Sequence, residues 1–277
     1  MKKEIKTVIG YLSFLNENNK NRRWNVFVKS IENLKKIKTD QPVHLVNFDN
    51  NSCKEARDIL KKSGFDKQFL FSNNFFDLSV LYGTYYYSKK IGAKYMIYCY
   101  DDIEFNGRKF LSDCELFMDE NKHVDCVRLC EYRKDDPWFN TTHTSKQKNP
   151  DAINHWISPN NKEIKWSTPK KVGESIFHTT NWHYTSRSSM FRVESFEKIV
   201  GSVDSLPVLQ FFELLGYNTF SKEDLTSAVL EGGVFKTLAS HDKNQSERLN
   251  IDRNVLESIK IDKKEIELEI NKIMGLT

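Results

Sequence analysis

No apolar run in the sequence approaches the roughly 20 residues that span a bilayer, and the opening Met1-Lys2-Lys3-Glu4 leads into only a short apolar stretch before Asn16. Neither a membrane span nor a signal peptide is expected, which leaves peripheral membrane association open. Excess charge of one sign is missing too: 42 Lys and Arg stand against 38 Asp and Glu, a net charge of +4 spread without long blocks. Attraction to a phosphate backbone has little to act through, so nucleic acid is not the expected partner. The five cysteines include no C-x-x-C pair, and a chain of 277 residues needs no disulfide staples. They read as reduced thiols, and the expected compartment is the cytoplasm.

What is present is enough to fold. With 39% hydrophobic and 29% charged residues, the chain buries a substantial core as one large domain or two small ones. Thr7 to Leu12 is a short apolar run that reads as a buried strand. Trp24, Phe27, Val28, Ile31, Leu34 and Ile37 then recur at helical steps with Lys and Glu on the other side. Val43 to Phe48 reads as a second strand, and Asp49 to Ser52 supplies a turn and a helix N-cap. Gly64 stops that helix, Phe69 to Phe71 reads as a third strand, Leu78 to Ile91 as a helix ended by Gly92, and Tyr95 to Tyr100 as a fourth strand. Farther on, Met190 to Val193 reads as a strand, while Leu206 to Leu215 and Leu225 to Leu230 read as helices closed by glycines.

Strands alternating with helices predict an α/β fold with right-handed crossovers and a mostly parallel sheet covered on both faces. Ligands in such sheets lie beyond the carboxyl ends of the strands. That rule singles out Ser13 to Asn16, Asp49, Asn73-Asn74 and Asp101-Asp102, all polar. Each alone reads as a solvated turn; their recurrence at corresponding strand ends is the signal.

Between Lys134 and Ser175 the pattern gives way to a polar stretch with four prolines and with Trp138, Trp156 and Trp166, expected to be a long loop. Spaced aromatic rings suit stacking on sugars, and packing beneath a loop is the alternative. From about Ser246 onward, isoleucines at near-helical spacing among charges of both signs predict a packing helix rather than a membrane anchor. One domain over residues 1 to 245, with a helical tail over 246 to 277, is the expected organisation. Cys126, Cys130 and His123 could suggest zinc, but the alternation from Val124 to Cys130 favours buried thiols on a strand.

Tyr98-Cys99-Tyr100-Asp101-Asp102-Ile103-Glu104 sets three carboxylates within four positions after an apolar strand, where they repel one another. A hard cation such as Mn²⁺ or Mg²⁺ would compensate, keeping water and substrate phosphate as further ligands. In extended backbone Asp102 and Glu104 point to the same side and can face one ion. An acidic turn capping a helix is the structural alternative. His241, at the end of an apolar run, is a candidate to complete the metal sphere.

Taken together, the strand ending in Ser13, the segment Asp49-Asn50-x-Ser52, the strand ending in Asn73-Asn74 and Lys94 to Ile103 resemble the nucleotide-sugar-binding half of family-2-like glycosyltransferases with the GT-A fold. The points of match are that family's D-N-x-S and D-x-D elements, over about residues 5 to 105. Weaker likeness extends to Ser189 to Arg192, Gly201 to Asp204, Glu223-Asp224 and His241. The resemblance implies a Rossmann-like α/β fold and transfer of a sugar from a nucleoside diphosphate sugar to a hydroxyl of a glycan or glycolipid acceptor. By the same resemblance, Asp49 would bind the donor's base or ribose, the Ser13 region would line the nucleotide pocket, with Asn73 and Asp101 beside it, and Asp102 would hold the metal. Asp224, in the position of the family's E-D element, is the implied general base, with Asp204 second, and inversion follows from the family majority. Arg187 and Arg192 are candidates to pair with diphosphate or an anionic acceptor. A sugar-1-phosphate nucleotidyltransferase would need a glycine-rich loop after the first strand, which Ser13-Phe14-Leu15-Asn16 lacks. A carbohydrate-binding protein without turnover is the non-enzymatic alternative.

Overall fold

The computed structural model describes residues 5–34, 36–37, 42–130, 167–180, 187–238 and 252–276. Its first half runs β1 (Thr7–Ser13), α1 (Lys20–Leu34), β2 (Val43–Asp49), α2 (Lys54–Lys61), β3 (Lys67–Leu70), α3 (Leu78–Ile91) and β4 (Tyr95–Cys99). Every residue of β1 and β4 is buried, as expected for parallel strands covered on both faces. α1 starts four residues before the apolar stripe. Asn16 and Asn19 bond each other's backbone amides reciprocally, at 2.9 and 3.0 Å, and start the helix inside a polar cluster. Gly92, at φ 73°, ends α3 with a left-handed cap.

The second half runs β5 (Ile103–Phe105), α4 (Leu111–Glu120), β6 (Cys126–Arg128), β7 (Lys170–Val172), β8 (Ser175–Thr180), β9 (Ser189–Arg192), α5 (Val193–Gly201), β10 (Ser205–Pro207), α6 (Gln210–Lys222), β11 (Ser227–Leu230), β12 (Phe235–Thr237), α7 (Arg253–Ser258), β13 (Lys260–Asp262) and α8 (Lys263–Met274). Nine strands form one mixed sheet in the order β3-β2-β1-β4-β9-β6-β11-β8-β7. β1 pairs in parallel with both β2 and β4, so the strand order reverses between β1 and β4. β9 is antiparallel to both its neighbours, which leaves β6 and β11 aligned with β4.

Two apolar layers hold the helices to the sheet. Val8, Phe48, Phe69, Tyr98, Phe191, Phe196 and Phe212 pack on the α3 side, while Ile9, Tyr11, Phe27, Ile31, Ile97 and Phe117 pack on the α1 side. α3 approaches β1 closely at Gly10, where an added Cβ would lie 1.8 Å from Thr84 Oγ1. Glycine is required there by space, not by backbone angle.

Four expectations change. Of the long loop expected from Lys134 to Ser175, residues 134–166 lie outside the described residues, and Lys170–Val172 forms strand β7, paired with β8. Leu225 to Leu230 is no helix: Ser227–Leu230 is strand β11, fully buried between β6 and β8. A short apolar run carries no usable period, and burial on both sides selects the strand. The segment expected to be helical from Leu206 instead forms β10, through Pro207, and α6 begins at Gln210. The C-terminal segment is only partly helical, because β13 pairs with β10 between α7 and α8. It also packs firmly. Ile266 and Ile270 are fully buried, and Tyr82, Tyr86 and Ser72 donate to Glu267, Asn271 and Glu269.

Candidate functional site

The crevice beyond β1 and β4, where the sheet order reverses, is the position at which an open α/β sheet receives a ligand. Residues expected at strand ends converge on it. Ser13 Oγ lies 3.0 Å from Asp49 Oδ1 and 3.0 Å from Asn47 Oδ1 across the β1–β2 pair. Asp49 is fully buried, and its Oδ2 accepts from Arg57 Nε at 2.7 Å and from Ser52 N at 3.1 Å. Arg57 also bonds the Phe71 carbonyl, joining the ends of β2 and β3. The charge of Asp49 is thus matched inside the protein. The amides after β1 are engaged as well: Phe14 N donates to Asp101 Oδ2, Leu15 N to Ser52 Oγ and Asn16 N to Asn19 Oδ1.

The acidic segment after β4 does not act as one group. Asp101 is buried and accepts from Arg23 Nη2 at 2.6 Å. Burial pushes its carboxyl up to about 6 despite the guanidinium, and Asp102 adds to the rise. Glu104, on β5, turns toward α1, where Lys29 Nζ lies 3.0 Å from its Oε1. Ile103 and Phe105 face the core, which directs Glu104 outward. Asp102 lies in a turn ahead of β5, so strand alternation does not align it with Glu104, and its carbonyl accepts Leu238 N at 2.7 Å. Among the described residues, the one group of three metal-capable side chains within 4.8 Å is Glu17, Cys53 and Glu55, and Lys20 already bridges its two carboxylates. Glu104 is thus paired with Lys29 and directed toward α1, and strand alternation does not bring Asp102 to its side.

Across β9, Asp102, Arg128 and Arg187 all act on the buried thiol of Cys130, which burial pushes up to about 11. Tyr100 lies close enough to Asp77, Glu213 and Cys130 to feel their charge. Asp102, Arg187, Tyr100 and Glu213 thus gather on the β4–β9–β6 side of the crevice, while Ser13, Asp49 and Arg57 gather on the β1–β2 side. Arg192 lies at the opposite end of the sheet, bonded to the carbonyls of Val124 and Met118.

Of the two residues expected to act as base, Asp224 lies away from the crevice. Asp224 is exposed after the C-terminus of α6, at φ 51°, three residues before β11 begins. Because β11 runs parallel to β6 and hence to β4, that position is at the amino-terminal edge of the sheet, away from the crevice. Asp204 is exposed before β10, where its carbonyl accepts Lys263 N. Asn73 is exposed in the loop after β3. His241, Trp138, Trp156 and Trp166 lie outside the described residues. Sequence reading missed Arg23, Arg57, Tyr100 and Glu213. A usable signal existed for Glu213, in the first turn of a helix that starts at the carboxyl edge, but placing that start depended on recognising Pro207 as strand.

The sequence matches no protein-family model and no curated protein. Solved structures do match. A mannosyltransferase from Pyrobaculum calidifontis in complex with GDP-Man and Mn²⁺ superposes with TM-score 0.54 at 8% identity, over 90% of this chain and 61% of that one. GalNAc-T7 with UDP, GalNAc and Mn²⁺ superposes with TM-score 0.55 at 8% identity, over 87% of this chain and 45% of that one. The chain therefore spans less than two thirds of either. It has the GT-A, Rossmann-like fold.

Proposed function

We propose that the protein is a metal-dependent glycosyltransferase that moves a sugar from a nucleoside diphosphate sugar to a hydroxyl of a glycan or glycolipid acceptor. The observation that carries this reading is the convergence of Asp102, Arg187 and Glu213 on one side of the crevice with the Ser13–Asp49–Arg57 cluster on the other. The nucleotide sugar, nucleotide and Mn²⁺ bound to the two structures of like fold support the same assignment.

In this reading the nucleoside enters over the ends of β1 and β2, where Asp49 and Arg57 fix the pocket wall, and the diphosphate lies toward Asp102 and Arg187. Asp102, with His241 as the second ligand that the resemblance implies, would hold Mn²⁺ or Mg²⁺, and that ion would supply positive charge to offset the charge developing on the diphosphate. Arg187 adds a second positive group beside the same leaving oxygens. Glu213 replaces Asp224 and Asp204 as the candidate base. It takes the proton of the acceptor hydroxyl as that oxygen bonds to the anomeric carbon, and the carbon–phosphate oxygen bond breaks with its electron pair leaving on the diphosphate. A single displacement of this kind inverts the anomeric centre. The five cysteines are all free, four of them buried, which supports a reducing compartment such as the cytoplasm.

Thermal stabilisation by a panel of UDP-, GDP- and dTDP-sugars, each with and without Mn²⁺ or Mg²⁺, tests the reading, since a ligand of the native state raises the melting temperature. At least one nucleotide is expected to stabilise the protein only with metal. No shift across the panel overturns the assignment.

A further inference from the structure

Two non-glycine residues far apart in the chain, Phe76 at φ 54° and Leu209 at φ 56°, hold left-handed backbone on either side of one hydrogen bond. Such residues persist only where their surroundings fix them. Between them lies Asp77, 6% exposed, whose Oδ1 accepts the Leu209 amide at 2.8 Å across 132 residues of sequence. On the Asp77 side, the carbonyl of the same residue receives Val80 and Leu81 at the start of α3. Asn50, next to Asp49 at the end of β2, donates to the Phe76 carbonyl and accepts the Phe75 amide. On the Leu209 side, the carbonyl of Leu209 receives Phe212 and Glu213 in the first turn of α6. A continuous set of bonds therefore runs from the β2 end, through Asp77, into the helix that presents Glu213 to Tyr100.

We propose that Asp77 is a positioning residue that clamps the strained turn at Leu209 and so fixes α6, with Glu213, against the end of β4. It touches no reacting atom. Its side chain reaches from the start of α3 to the Leu209 amide and so ties the turn to that helix. The charged and titratable groups facing it are Glu213 from α6 and Tyr100 from the end of β4. The proposal rests on the transferase reading only for the purpose that Glu213 serves.

Amide hydrogen exchange on the full chain tests the clamp without any substrate. Asp77→Ala is expected to speed exchange over Leu209 to Glu213 by about tenfold or more, the loss of one buried hydrogen bond, while the interior of α3 exchanges as before. Asp77→Asn keeps an acceptor oxygen in place and is expected to exchange like the parent. Should Asp77→Ala fail to fold, Asp77→Ser serves as the loosening variant. Unchanged exchange in Ala or Ser, or equal loosening in Asn, overturns the clamp. With a donor found by the nucleotide-sugar panel, the loosening variant is expected to lose about tenfold or more in kcat while UDP·Mn²⁺ affinity stays put, and Asp77→Asn is expected to restore kcat. Loosened exchange with undiminished kcat overturns the positioning role. A panel without any donor overturns the transferase reading, and exchange alone then judges the clamp.

Discussion

Arg57 and Asp49 form an ion pair, Nε to Oδ2 at 2.7 Å, in which the carboxylate is fully buried and the guanidinium also ties down the Phe71 carbonyl. One side chain thus neutralises the deepest charge of the crevice and joins two strand ends.

Removing that guanidinium strands a buried charge. Arg57→Ala is expected to destabilise the protein by roughly 3–5 kcal/mol, the usual consequence of breaking a buried pair. Urea denaturation measures it, and a loss under about 1 kcal/mol contradicts the account. Arg57→Lys keeps the charge but not the fork, and is expected to recover only part.

Asp102 and Glu104 should separate cleanly. Asp102→Asn is expected to abolish metal-dependent nucleotide binding with the melting temperature nearly unchanged. Glu104→Gln loses only a partly exposed pair with Lys29, worth about 0–1 kcal/mol, and is expected to bind nucleotide normally. Calorimetric titration with nucleotide and Mn²⁺ distinguishes the two, and equal losses would restore Glu104 as a ligand.

Glu213→Gln is expected to retain donor affinity while transfer falls by about 100-fold or more, the usual contribution of a general base. Asp224→Asn, exposed at the amino-terminal edge of the sheet, is expected to turn over like the parent. Full activity in Glu213→Gln removes it from the reaction.

Asp77 sets a pH signature on stability. Burial pushes its carboxyl up to about 7, with Glu213 adding to the rise, from an ordinary value of 3.8. The folded state then binds the proton more tightly than the unfolded state. The stability so contributed is complete below about pH 4 and is lost as pH rises through about 7. Asp77→Asn is expected to flatten that decline between pH 5 and 8. Asp101, also raised, contributes with the same sign in both proteins, so the difference between parent and variant isolates Asp77. Parallel melting-temperature curves for the two proteins would show that the carboxyl does not titrate in this range.

The α/β class and the first four strands were legible because the elements are long and fully buried, and because glycines mark helix ends at residues 64 and 92. The strand-end rule found Ser13, Asp49 and Asp101-Asp102 for the same reason: alternation of strand and helix dictates which edge each loop occupies. What the sequence hid was direction at the level of single side chains. Glu104 read as a metal ligand and Asp101 as a nucleotide contact, and nothing local reveals their partners Lys29 and Arg23, which come from another helix. Asp224 read as a base because Glu223-Asp224 resembles the family's E-D element ahead of a helix. It is instead a helix end leading into a strand, which moves the carboxylate to the far edge of the sheet.

The pairing of β13 with β10 places residues 260–262 beside the segment that leads into Leu209. A disturbance of that small two-stranded pairing would therefore be felt at the Leu209 turn, although the two stretches are far apart in sequence.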